Sequence, residues 1–374
     1  MSKNRRIICG AGDLLGCGYY RMAMPYKHLS KLGFDVWLTN KLDMELKPED
    51  VLVLQRQHHD GVLNLTKNFK ALGGKLVFEL DDYFHELPPN NPARSAYPKG
   101  GKEIKNLETF MEISDLMTVS TPSLGENYKK WAKNVHICYN MIDQDEIKPE
   151  LRETNDSNII RLGWAGSATH LDDLMPIVKP ITEIMKEYPN THFVFVGMDY
   201  KAIFPREIQG RMSHAGHTFP MHNGKALFYD TESGTSPVVK YYKLLRDSKI
   251  DIAIAPLTPL AFNRSKSYIK LMEYGISQIP FVATDFGPYG QYVRNTQKSV
   301  GYLADSNSQW KRSLKNLIEN ESLRKTVAQE NLEYVLEKHT MKTGIKQWVD
   351  ALASIDVFPG DEPGSYTENI VKSH

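Results

Sequence analysis

Residues 251–289, DIAIAPLTPLAFNRSKSYIKLMEYGISQIPFVATDFGPY, read as strand, loop, helix and strand. The apolar run Asp251 to Ala255 leads into a polar loop, Asn263-Arg264-Ser265-Lys266, and a helix follows. A second apolar run, Pro280 to Thr284, ends in the turn Asp285-Phe286-Gly287-Pro288. Elements of this length make a parallel crossover, and ligands bind such units where strands end and helices begin. Asn263 and Ser265 are helix-capping residue types, so the loop is expected to set helix-start N–H groups beside Arg264 and Lys266. That arrangement attracts an anion. A continuous helix would put Lys266 and Glu273 on one face, about 10 Å apart along its axis. A cation and a carboxylate so spaced suit the diphosphate and the ribose hydroxyls of a nucleotide. The opposing reading is a solvated face, since Ile269, Met272 and Ile276 already supply the packing stripe.

The chain has 374 residues, enough for two domains with separate cores. Its composition, 41% hydrophobic and 24% charged, is that of a globular protein. Lys plus Arg number 46 against 45 Asp plus Glu, so net charge exerts no general pull toward nucleic acid or acidic membrane. Three cysteines, Cys9, Cys17 and Cys138, cannot form a disulfide framework, and a reducing cytoplasm is expected. No apolar run reaches the roughly 20 residues that span a bilayer. The start, MSKNRR then IICGAG, reads as a first core strand and not as a signal peptide.

Strands and helices alternate twice along the chain. Strands are expected at Arg6 to Cys9, Asp35 to Leu38, Val51 to Leu54, Lys75 to Leu80, Leu116 to Ser120 and Val135 to Cys138. The intervening helices fall near 20–32, 64–72, 102–113 and 123–133. Near-continuous apolar strands of this kind belong to a parallel sheet covered on both faces. The polar segment DQDEIKPELRETNDSN separates this half from a second alternation, which opens with strand 159–163, helix 171–187 and strand 192–197. The region 198–240 is expected to be irregular with one short strand, and helices 308–319, 321–339 and 340–355 close the chain. The divisions are therefore 1–144, a linker at 145–158, 159–340, and 341–374 as a last helix with a polar tail.

Three strand-end loops carry the remaining site candidates. Gly10 to Gly18, GAGDLLGCG, follows the first strand, but its spacing is not G-x-G-x-x-G. The next strand ends in Leu38-Thr39-Asn40 without an acidic residue, which disfavours NAD. Phe78 to Phe84, FELDDYF, ends a strand in adjacent carboxylates. Strand alternation would point Asp81 and Asp82 to opposite faces, against shared metal ligation. An acidic residue there orients or deprotonates a hydroxyl, or else caps a helix or loop. Gly163 to His170, GWAGSATH, offers small residues whose amides contact phosphate, or a structural turn. His58 and His59 sit just past a strand end. His214, His217 and His222 are spaced too irregularly for zinc, and Cys17 has no partner pattern for a thiolate nucleophile.

The 251–289 segment resembles the donor-site signature of GT-B glycosyltransferases of the retaining, family-4-like group. EYGISQIPFVATD matches that signature, and Glu273 aligns with the ribose carboxylate of its glutamate pair. The first glutamate is missing, its place falling at or beside Ser265-Lys266. FELDDYF resembles an acidic run of phage and bacterial surface-polysaccharide members, and GCGYYRMAMPYKHL is similar to phage-encoded ones. The resemblance implies an α/β fold of two Rossmann-like domains facing a cleft, with a last helix that crosses back through Val349, Leu352 and Ile355.

It further implies transfer of a sugar, with retention, from a nucleotide-diphosphate sugar to a hydroxyl acceptor, either a glycan or a hydroxymethylated base in phage DNA. Glu273, Lys266, Arg264, Ser265, Asn263, Gly166 and Ser167 would bind the donor. Lys266 and Arg264 would offset charge on the leaving diphosphate, with Asp81 or Asp82 beside the acceptor. Gly16, Gly18, Tyr19 and Arg21 would form the phosphate and acceptor loop. No metal and no cofactor beyond the nucleotide-sugar substrate are expected, and the location would be cytoplasmic, in the host if phage-encoded. A nucleotide-sugar epimerase of the same fold and a non-catalytic nucleotide- or sugar-binding protein are the alternatives.

Overall fold

The structure is a computed structural model, and it describes residues 5–13, 15–39, 41–149, 158–216, 221–222, 225–226 and 236–357. Two six-stranded sheets organise the chain. The first contains β1 (Arg6–Gly10), β2 (Asp35–Thr39), β3 (Val51–Gln55), β4 (Lys75–Leu80), β5 (Leu116–Val119) and β6 (Val135–Ile137). Its order is β2-β1-β3-β4-β5-β6, and every pairing is parallel. The central strand β3, VLVLQ, is buried throughout because helices cover both faces, so its side chains need no polar alternation.

The second sheet contains β7 (Ile160–Gly166), β8 (Thr191–Gly197) and β9 (Met212–Gly216). A small antiparallel pair, β10 (Met221–His222) and β11 (Lys225–Ala226), stands outside it. The sheet resumes with β12 (Ile252–Ala255), β13 (Phe281–Thr284) and β14 (Tyr302–Ala304), in the order β14-β13-β12-β7-β8-β9. Strand order reverses beside β1 in the first sheet and beside β7 in the second. Those two switch points open crevices at the strands' C-terminal ends. Much of the 198–240 region, including 227–235, lies outside the described residues, as does 150–157 of the expected linker.

Several expected helices are broken for local reasons. The stretch after β1 runs as a turn Gly16–Gly18, a π-helical turn Tyr19–Ala23 and the α-helix Met24–Lys31. Helix 171–187 divides at Met175–Ile177, where Pro176 withholds an N–H donor, and continues as Val178–Glu187. The largest departure is in the opening segment. Asn263 and Arg264 lie in a helical turn, Ala261–Arg264, and the next helix, Ile269–Ile276, starts after Tyr268 with no side-chain cap. Neither Asn263 nor Ser265 therefore caps it, and Lys266 stands before the helix instead of on it.

Helix Glu321–Lys338 packs on Ile269–Ile276 through Gly275, where a Cβ would meet Val335 at 2.7 Å and Asn331 at 2.9 Å. The chain then crosses back: Ile142 N–H donates to the His339 carbonyl at 2.8 Å, and Met341 N–H to the Ile142 carbonyl at 2.9 Å. Helix Lys346–Ala353 lies against the first sheet, burying Trp348, Val349 and Leu352. Among the described residues no helix is long and apolar enough to cross a membrane.

Candidate functional site

The switch-point crevices of the two sheets face each other across a cleft of about 250 Å³. Its second-domain wall is built by helix 269–276 and the loop after β7. Glu273 is 8% exposed, and both carboxylate oxygens already accept hydrogen bonds. Tyr20 Oη, from the opposite domain, donates to Oε1 at 3.1 Å, and Tyr241 Oη donates to Oε2 at 2.9 Å. Tyr20 and Tyr242 hydroxyls meet at 2.8 Å behind them. Burial raises the Glu273 carboxyl above its ordinary range, against the opposing pull of Lys270.

Lys270, one turn earlier, is also buried. Its ammonium donates to the Ala165 carbonyl and lies 5.5 Å from the Trp164 ring centroid. Desolvation lowers its pKa to about 8. Lys266 reaches the same cleft, with Nζ 3.8 Å from Asp82 Oδ1 and 4.6 Å from the Phe262 ring centroid. Gly166 and Ser167 add loop backbone to this wall. His170 completes it, its Nδ1 sharing a 2.8 Å hydrogen bond with Asp173 Oδ2.

The first-domain wall comes from the ends of β1 and β4. Asp81 and Asp82 both line the cleft, contrary to the alternation argument, because β4 stops at Leu80 and the chain turns there. They face different cations. Asp82 is opposite Lys266, while Asp81 Oδ1 is buried, has no hydrogen-bond partner and lies 3.9 Å from Arg56 Nε. Arg56 itself adopts φ 53°, a left-handed conformation that is strained for a non-glycine residue, and also pairs with Asp13. Burial raises the Asp82 carboxyl; Lys266 opposes the rise and Asp81 adds to it. Burial, then the charges of Asp81 and Asp82, push the Cys17 thiol well up, which disfavours a thiolate there.

Of the residues singled out from sequence, Gly16, Arg21, Asp81, Asp82, Gly166, Ser167, Lys266 and Glu273 line this cleft. Arg21, however, is turned inward. It makes a two-point ion pair with Glu79 at 2.7 and 3.0 Å, donates to the Cys138 carbonyl and to Asn140 Oδ1, and lies under the Trp348 ring. Arg264, Asn263, Ser265, Gly18 and Tyr19 do not line it. Arg264 is exposed, 4.8 Å from the Phe286 ring centroid. Asn263 Nδ2 donates to Asp173 Oδ1 and to the Thr258 carbonyl.

Ser265 fastens the domains: its carbonyl accepts from Thr121, and its hydroxyl bonds Ser123 and Asn127. Gly18 has no room for a Cβ, which would fall 2.1 Å from the Asp13 carbonyl oxygen. Tyr19 donates to Glu146. Lys270 and Tyr241 were not foreseen, and Tyr20 and His170 fall in loops singled out from the sequence without a role of their own. The Lys270–Glu273 spacing of one helical turn is the signal that pairs those two.

Among the described residues, a metal-compatible cluster (His28, Asp143 and Asp145) lies outside the cleft, with Lys27 and Lys31 already beside its carboxylates. His58 hydrogen-bonds Tyr97, and His214 the Gly197 carbonyl. His217 and the side chain of His222 lie outside the described residues.

Two parallel Rossmann-like domains facing a cleft define the GT-B fold, and solved glycosyltransferases share it. No family model matches the sequence, and no curated protein does. Among solved structures, sucrose-phosphate synthase of Thermosynechococcus elongatus superposes with a TM-score of 0.60 at 12% identity, over 94% of this chain and 99% of that one. HepE of Anabaena, in complex with UDP-glucose, gives 0.58 at 12%, over 94% and 100%. TarM of S. aureus, solved with UDP, gives 0.57 at 12% over 88% of this chain. The present chain spans 58% of TarM's length.

Proposed function

We propose that this protein is a glycosyltransferase that moves a sugar from a nucleotide-diphosphate donor to a hydroxyl acceptor. The observation that carries the reading is a buried carboxylate, Glu273, one turn from a buried lysine, Lys270, at the switch-point end of a parallel sheet. A carboxylate so placed accepts ribose hydroxyls, and Lys270 with Lys266 faces the phosphates. HepE binds UDP-glucose and TarM binds UDP on the same fold, which supports this choice of ligand. The retaining, family-4-like character and the likeness to phage-encoded members belong to the same reading.

In the reaction, the bond from the anomeric carbon to the diphosphate breaks as a bond to the acceptor oxygen forms. Negative charge grows on the leaving diphosphate, where Lys266 and Lys270 offset it in a site screened from water. The acceptor proton passes to a base, and Asp82 is the candidate: it lines the cleft opposite Lys266, and burial raises its carboxyl, which makes it the better proton acceptor. The acceptor hydroxyl, of a glycan or a modified base, sits on the first-domain wall beside Asp81 and Asp82.

Incubation with UDP-glucose, ADP-glucose and GDP-mannose, with and without candidate acceptors, tests the proposal. Release of nucleoside diphosphate that is stimulated by an acceptor and lost in Glu273→Ala is expected. Binding without turnover under every condition would leave a binding protein, and conversion of the sugar without transfer an epimerase.

A further inference from the structure

Among the described residues His170 is the one imidazole in the wall of the cleft, and its surroundings fix its hydrogen-bonding state. Asp173 beneath it is 4% exposed and held by three donors. Oδ1 accepts from Thr258 N–H and Asn263 Nδ2, each at 2.8 Å, and Oδ2 faces His170 Nδ1 at 2.8 Å. Burial pushes the Asp173 carboxyl up, but His170, the Thr258 N–H and the charge of Lys266 outweigh it and hold the carboxyl below its ordinary range, so it is an anion and Nδ1 carries the hydrogen. Nε2 is the ring nitrogen left to take up a proton, on a residue that lines the cleft. The ring stands edge-on to Trp164, centroids 6.1 Å apart, and Lys270 lies over that same indole.

We propose that His170, seated on Asp173, takes up a proton when the diphosphate of a nucleotide sugar enters the cleft, and becomes a third cation on the leaving group. The inference rests on the donor reading given above. In the ligand-free protein, burial and the charges of Lys270 and Lys266 hold His170 neutral, with a pKa lowered to about 4. The groups that face it are Asp173 below, Lys270 from helix 269–276 and Lys266 from the preceding turn, with Asp82 across the cleft beyond Lys266. A diphosphate beside the lysines reverses this balance: their repulsion is offset, and the phosphate oxygens and Asp173 then both favour imidazolium. The proton comes from solvent on binding and returns there on product release. His170 thus supplies its charge only when a phosphate is present, which spares the empty cleft a third buried cation.

Calorimetry of UDP-glucose, ADP-glucose and GDP-mannose, in two buffers of different ionisation enthalpy at pH 6, reads the proton directly. These donors hold no group of their own that titrates near that pH. Wild type is expected to take up about half a proton or more per donor bound, and its affinity should fall about four-fold or more from pH 5.5 to 7.5. His170→Gln should still bind, without that uptake and with a flatter pH dependence. Asp173→Asn, which keeps the ring but removes its counter-charge, should reduce the uptake, and it decides the matter if His170→Gln does not fold. Binding with no proton uptake in wild type, or uptake unchanged in these variants, overturns the inference alone. If none of the three donors binds, the donor reading fails and the inference falls with it.

Discussion

Glu273 holds two tyrosine hydroxyls before any ligand arrives, so its carboxylate is oriented in advance and a donor has only to add to or displace them. Glu273→Ala should weaken nucleotide-sugar binding at least about ten-fold, the worth of one hydrogen bond to a charged group. Calorimetric affinity equal to wild type would remove Glu273 from the site. Lys270, with its pKa near 8, predicts a pH effect of definite sign. The lysine is cationic below that value and neutral above it, so kcat/KM should fall as pH rises through about 8. In Lys270→Met the alkaline limb should vanish along with most of the turnover; a limb that survives belongs to another group. Asp81 and Asp82 face Arg56 and Lys266 separately, which leaves the phosphates to protein cations. Transfer should therefore persist in a chelator, and restoration of lost activity by magnesium or manganese would contradict this. Lys270 escaped sequence reading because its burial comes from Trp164 and Ala165, more than a hundred positions earlier in the chain.

At the scale of elements, apolar strands and their alternation with helices were plain in the sequence, since each is a local pattern: β3 (VLVLQ), β4 (KLVFEL) and β13 (FVAT) are mostly apolar runs. The segment between β12 and helix 269–276 was not. Asn263 and Ser265 have side chains that suit a helix cap, yet Asp173 claims one, and Ser123 and Asn127 claim the other. Distant partners won over a local preference, and the helix began at Ile269 instead. Arg21 shows the same physics, with Glu79 as a partner that no local window contains. Helix–helix contact depends on Gly275, so Gly275→Val should force Val335 and Asn331 aside. A loss of about 1–3 kcal/mol is expected from such overpacking, read as a lower midpoint in urea. An unchanged midpoint would mean that the two helices can separate without penalty.

For the molecule as a whole, two parallel sheets carry the fold, and helix Lys346–Ala353 ties the region after the second sheet back to the first. Trp348 is 1% exposed against the first sheet and covers Arg21. Trp348→Ala should destabilise that domain by about 3–5 kcal/mol. Spectroscopic probes placed in each sheet should then report unfolding of the first domain ahead of the second; a single coincident transition, as stable as wild type, would count against this. The same crossing has a consequence for how the protein is made. Residues 5–137 supply every strand of the first sheet, yet the helix that seals one of its faces, Lys346–Ala353, is synthesised only after the whole of the second sheet. At cellular synthesis rates roughly 10–40 s separate the two. During that interval the nascent first domain presents Cys138 and the Arg21–Glu79 pair without their lid, and a holdase chaperone has that window in which to act.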